Sequence, residues 1–170
     1  EMDVGHDDDG RIVGVEVTMV SRAGHSADLS GPVMTRALCH FDNAYWLPEV
    51  ALHGYLPRTN TQSNTAFRGF GGPQGVVGIE RVMDHVAADL GCDPMAVRRA
   101  NFYDRTGPRT VTPYHMVVED NILPELVGEL VRRSDYVARR AEVAAYNAGS
   151  RVLKRGIALT PVKFGISFTL

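Results

Sequence analysis

Apolar and polar residues alternate from Val13 to Met19, with Val13, Val15, Val17 and Met19 separated by Gly14, Glu16 and Thr18. This period of two is the pattern of a half-buried strand. Asp8-Asp9-Gly10 ahead of it reads as a turn, so Met2 and Val4 supply the partner strand of a hairpin. The small, polar stretch SRAGHSADLSGP is loop-like, and VMTRALCHFDNAYW then predicts a short helix. Val33, Ala37 and Leu38 form its apolar face, with Ser30 or Gly31 before Pro32 as the start signal. Arg36 interrupts that apolar run. A short strand is expected within YWLPEVALHGYLPRTN.

Beyond a glycine-rich turn, Ile79, Val82, Met83, Val86 and Leu90 recur at three- and four-residue steps. Glu80, Arg81, Asp84 and Asp89 fall between them, which predicts an amphipathic helix that starts at Pro73 and ends at Gly91. Asp93-Pro94 caps another short helix running to Asn101. DNILPELVGELVRR and SDYVARRAEVAAYN read as two further helices, with Ser134 as the cap between them and Gly149 as the stop. The closing RGIALTPVKFGISFTL is rich in β-branched and aromatic residues and reads as strand. The order strands, helices, strands predicts an α+β fold, a mixed sheet with flanking helices.

The 170 residues suffice for one domain with a real core. A hydrophobic share of 44%, a charged share of 22% and a net charge of −2 are ordinary for a globular protein. They give no electrostatic reason to expect nucleic acid or an anionic membrane as partner. Cys39 and Cys92 stand alone, which argues for a reducing, cytoplasmic setting. The chain opens mid-pattern at Glu1 and stops at Leu170 without a polar tail, so residues 1–170 read as one domain piece cut from a longer protein.

SNTAFRGFGGPQG is the most unusual stretch. Four glycines between Gly69 and Gly75 surround Phe70, with Phe67 and Arg68 just before. Glycine is costly in entropy and is placed where dihedrals are special or another molecule approaches closely. The turn leads into a helix, whose amides and dipole can hold an anion; a plain tight turn accounts for it equally well. Gln74 stands where a dinucleotide fingerprint needs its third small residue. Arg36 must find acceptors if buried, either an acidic partner or an anionic or carbonyl-bearing substrate. The six histidines show no metal-ligand spacing.

Taken together, SRAGHSADLS, TRALCHFDNAY, NTAFRGFGGPQG, PMAVRRANFY and KRGIALTPVKFGISFTL closely resemble, in order, the molybdenum-binding large region of xanthine dehydrogenases and xanthine oxidases. The resemblance implies the molybdenum cofactor-binding domain of the molybdenum hydroxylases. It implies a molybdenum–molybdopterin cofactor whose metal is held by the pterin dithiolene, so that no side chain of this chain is a metal ligand. Hypoxanthine and xanthine would be hydroxylated to urate, and electrons would leave through 2Fe–2S clusters and FAD, on other domains or subunits, to NAD or oxygen. Phe70 and Phe168 match the rings that sandwich the purine. Arg36 matches the arginine that orients its carbonyl and stabilises charge developing on the ring. Thr169 matches a substrate hydrogen-bonding position, and Leu29 an apolar residue of the entry channel. Phe67 and Arg68 match residues approaching the molybdenum centre, Arg68 through its backbone amide. The glutamate base belongs to segments outside this stretch, so the isolated chain is expected to be inactive. An aldehyde or other N-heterocycle hydroxylase on the same scaffold, or a packing fragment, is the alternative.

Overall fold

The computed structural model describes residues 1–165. The fold is α+β, in two compact units: Glu1–Asp120 together with the segment from Val162, and Asn121–Pro161. In the first unit, β1 (Met2–His6) and β2 (Ile12–Val20) form an antiparallel hairpin, and β3 (Val50–Tyr55) adds to β2 in parallel. The hairpin turn is built as its sequence indicates, with Asp7 Oδ1 accepting the amides of Asp9 and Arg11 at 3.0 and 2.8 Å.

The alternation along β2 does not run unbroken. Gly5 pairs with Gly14 but His6 pairs with Ile12, so Val13 is the extra residue of a bulge. The bulge reverses the phase: Ile12, Val15 and Val17 are buried while Val13 is exposed, where simple alternation puts Val13 with the buried set. Asn101 explains why the bulge is held. Its side chain accepts from the Ile12 amide and donates to the carbonyls of Gly10 and Val97, at 2.8 Å in each case.

The connection from β2 to β3 carries α1 (Ser30–Cys39), which packs on β3 and on α2 (Gly72–Asp89). Pro73 lies in the first turn of α2 as expected, and α3 (Pro94–Asn101) starts at Asp93, whose carboxylate accepts the Met95 amide at 2.7 Å. Ile79, Val82, Met83 and Val86 are buried as their spacing predicts, each contributing about 1.5–3 kcal/mol of apolar burial. Glu80 departs from the pattern: it is buried with them. Gly71 and Gly75 let α1 and α2 meet backbone to backbone, since a Cβ at either would collide with the carbonyl oxygen of Val33 or Ala37.

The second unit contains α4 (Leu123–Arg133) and α5 (Tyr136–Gly149). Ser134 is the C-cap of α4 and not, as its residue type led us to expect, the N-cap of α5. That place belongs to Asp135, in the left-handed region at φ 49° with no side-chain cap bond. The double break there comes from the tight two-residue link, not from capping chemistry. The closing segment is also not strand over its described part. Asparagine amides take the place of a ladder: Asn147 bonds both the amide and the carbonyl of Arg155, and Asn43 Oδ1 accepts the Lys163 amide at 3.0 Å. Among the described residues no helix is long and apolar enough to cross a membrane.

Two glycine substitutions should move stability in opposite directions. Gly75→Ala forces the α1–α2 contact apart and should cost about 1–3 kcal/mol. Gly128→Ala, inside α4 with nothing within 4 Å of the new methyl, should stabilise by about 0.5–1 kcal/mol. Urea midpoints at constant slope measure both.

Candidate functional site

Arg36 lies on the last turn of α1 and is 5% exposed. Its Nη2 donates to the Gly165 carbonyl at 2.7 Å, and its guanidinium carbon sits 4.9 Å from the centre of the Phe164 ring. His40 is one turn further along the same face, its ring stacked on Phe164 at 4.9 Å and 17°. Phe164 also lies against Gly72, where any side chain would collide with the ring. Thus α1, the start of α2 and the closing segment converge on one phenyl group.

The glycine-rich turn has an uncommon backbone. Gly69, Phe70 and Gly71 take φ values of +95°, +53° and +103° in succession. Glycine accepts this region freely, but a bulky side chain in it is a genuine outlier. Phe70 is fixed there by its amide, which donates to the Phe67 carbonyl at 2.8 Å, and by Gly72 closing onto Gly69 at 3.0 Å. Phe67, 79% exposed, and Arg68 stand on the outer side of the turn. The Arg68 amide has no backbone or side-chain acceptor among the described residues.

Other predicted site residues are spread around this centre. Gly71, the neighbour of Phe70, touches the backbone of Val33 and Ala37 on either side of Arg36, so the turn and the arginine are adjacent. Leu29 is the N-cap of α1, 41% exposed, about 10 Å along the helix from Arg36. Its loop is joined to the glycine-rich segment where Ser30 Oγ donates to the Asn64 carbonyl at 3.3 Å. Phe168 and Thr169 lie outside the described residues. No three His, Cys, Asp or Glu side chains converge on a metal position among the described residues. Two open clefts, of about 570 and 600 Å³, lie against β1 and the sheet and contain none of these residues.

A polar network that sequence reasoning missed supports the centre. The Glu80 carboxylate accepts from Asn43 at 2.8 Å, Tyr45 at 2.6 Å and Arg98 at 2.8 Å, all buried. Asn43 in turn holds the Lys163 amide, and Lys163 Nζ reaches Asp42 at 2.6 Å and Tyr114 at 3.0 Å. The signal was present in the run His40-Phe41-Asp42-Asn43, three polar residues in a segment otherwise read as apolar. Burial pushes the Asp42 carboxyl above its ordinary value despite the Lys163 ammonium. Burial, with Arg36 and Lys163 nearby, pulls His40 below 6.5. Its Nδ1 is buried without a hydrogen-bond partner among the described residues, as suits a neutral imidazole.

A family model described as the molybdopterin cofactor-binding domain matches residues 1–102. Nicotinate hydroxylase of Emericella nidulans is 43% identical over 166 residues, 97% of this chain and 12% of that protein. Xanthine dehydrogenase/oxidase of Gallus gallus is 42% identical over 167 residues, 98% of this chain and again 12% of the relative. Among solved structures, the aldehyde oxidoreductase of Desulfovibrio desulfuricans superimposes with a TM-score of 0.75 at 25% identity, covering 87% of this chain and 16% of that one. The chain spans about an eighth of these curated relatives.

Glu80→Ala should destabilise the chain by about 3–5 kcal/mol, because it removes the buried acceptor shared by Asn43, Tyr45 and Arg98 and leaves the guanidinium only Asp84, and Glu80→Leu with Arg98→Met should recover part of that in denaturant titrations. His40 should add an acid-sensitive limb. With the folded value depressed, its contribution is present above 6.5 and lost as pH falls through the folded value. Asp42 acts in the opposite sense, its contribution being present below 3.8 and lost as pH rises through the raised folded value. Stability measured from pH 7 to pH 5 should therefore fall less in His40→Gln than in the parent.

Proposed function

Because the chain belongs to the molybdopterin cofactor-binding domain family, an oxidoreductase family, we propose that it forms part of a molybdenum hydroxylase acting on purines. Hypoxanthine and xanthine are the substrates this reading assigns, with urate as product. The observation that carries it is Phe70, an aromatic residue kept in a left-handed turn whose next residue, Gly71, packs on the helix carrying the buried Arg36. Strain of this kind persists where the surroundings over-determine it, and it clusters at ligand sites.

The residues present fit the cofactor this reading requires. A turn whose Arg68 amide meets no acceptor among the described residues offers a donor to a bound group, and Phe67 beside it offers an exposed ring. Bound molybdopterin supplies the two-electron oxidation. This chain supplies recognition. Phe70, with Phe168, forms flat apolar walls for a planar heterocycle, while Leu29 lines the approach. Arg36 directs a guanidinium donor at a ring carbonyl and stabilises negative charge as it develops there; Thr169 adds a hydrogen bond. The remaining large-chain segments, the 2Fe–2S and FAD domains or subunits, and NAD or oxygen as acceptor complete the reading.

A second reading has a specific observation in its favour. Identity to the nicotinate hydroxylase of Emericella nidulans, 43%, is within one point of the 42% to the xanthine dehydrogenase/oxidase of Gallus gallus. Nicotinate also presents a planar N-heterocycle and an anionic group that a guanidinium can bind. In that case the chain serves an N-heterocycle hydroxylase with the same parts in the same roles.

Arg36→Met in the intact enzyme separates these readings. For a purine enzyme, kcat/KM for xanthine should fall roughly 100- to 1,000-fold, the loss expected of one preorganised donor, with molybdenum content unchanged. Parallel assays with nicotinate and an aromatic aldehyde identify the substrate class; xanthine kinetics identical to the parent would remove the arginine from the site.

A further inference from the structure

We propose that Phe164 is a positioning residue for Arg36, holding its guanidinium in one plane and one rotation. This rests on the reading of Arg36 as the substrate-orienting group. A guanidinium directs its donors usefully only when both its plane and its rotation about the stem are fixed. In this structure a ring face and a carbonyl on consecutive residues do both. The Phe164 ring lies 4.9 Å from the guanidinium carbon, and the adjacent Gly165 carbonyl accepts from Nη2 at 2.7 Å.

Phe164 is itself located from three sides. His40, the C-cap of α1 four residues after Arg36, stacks on the ring. Gly72 provides the gap into which the ring edge fits. One residue earlier, Lys163 is latched through its amide to Asn43 and through its ammonium to Asp42, at 3.0 and 2.6 Å. The ring therefore cannot slide along α1 without breaking the part-buried ion pair between Lys163 and Asp42. Three charged or titratable groups face the stack: Arg36 from α1, His40 from its C-cap, and Lys163 from the closing segment. Arg36 lies over the Phe164 ring itself, while the Lys163 ammonium is turned to Asp42 and Tyr114, and a neutral imidazole adds no competing charge to the stack.

A double-mutant cycle in the intact enzyme tests the proposal. Phe164→Leu should lower kcat/KM for xanthine by about tenfold and weaken binding of a non-oxidisable oxopurine, measured by calorimetry, in proportion. Phe164→Tyr, which keeps the ring, should restore both to within about threefold. Introduced into Arg36→Met, Phe164→Leu should have no further effect, since it acts only through the arginine. Equal losses in the two backgrounds, or loss of molybdenum from Phe164→Leu, mark a structural role and overturn the proposal. So does a Phe164→Leu enzyme with parental kinetics when Arg36→Met is impaired. If Arg36→Met is itself unimpaired, the failure lies with the substrate reading.

Discussion

The organisation of the first unit depends on how closely α1 and α2 can approach. Their contact is made by backbone, with Gly71 and Gly75 facing the carbonyls of Val33 and Ala37. Helices packed through ordinary side chains sit 8–10 Å apart, and here the missing Cβ atoms remove the outermost layer of that contact. The consequence reaches the site directly. Arg36 lies between Val33 and Ala37 in register, and Phe70 immediately precedes Gly71, so the seam that needs glycine is the seam that sets the arginine beside the turn. The glycine-rich stretch has two purposes at once: its first glycines supply left-handed backbone around Phe70, and its later ones supply proximity.

Burying Arg36 and Glu80 requires that each find partners. Glu80 is answered three times, by Asn43, Tyr45 and Arg98, so that no buried donor around it is left without an acceptor. Tyr45 shows the same field from the other side, its hydroxyl pushed far above the ordinary phenol range by burial and by the Glu80 carboxylate. The network does not stop at α2. Through Asn43 it grips the Lys163 amide, and through Lys163 it fixes the residues that touch Arg36. Stability of the core and aim of the arginine are thus two ends of one chain of hydrogen bonds.

Much of this was legible in the sequence. The hairpin, α2, α3 with its Asp93 cap and the place of Arg36 inside an apolar helix all follow from periodicity and capping. What was not legible depended on long-range partners. The phase reversal at Val13 needs Asn101, almost ninety residues away, to hold the bulge. Glu80 looked like part of a solvated helix face because helical spacing does not reveal that Asn43, Tyr45 and Arg98 will converge on it. The closing segment has the composition of a strand, yet asparagine side chains claim its amides and it joins no ladder in its described part. Local pattern predicts which elements form; it does not say where a buried polar group finds its partners.

That division bears on how specificity is carried in this fold. Relatives named for xanthine, nicotinate and aldehyde oxidation share the scaffold with this chain, so the framework alone does not choose a substrate. In the first unit the scaffold consists of glycine contacts and the Glu80 network, neither of which points at a ligand. The groups that touch Arg36 are held independently of it: Asn43 and Asp42 latch Lys163, next to Phe164 and Gly165 in the chain. The physical economy of the arrangement lies in that separation: the groups that keep the closing segment in register, Asn43 and Asp42, are different from the one it packs against, Arg36.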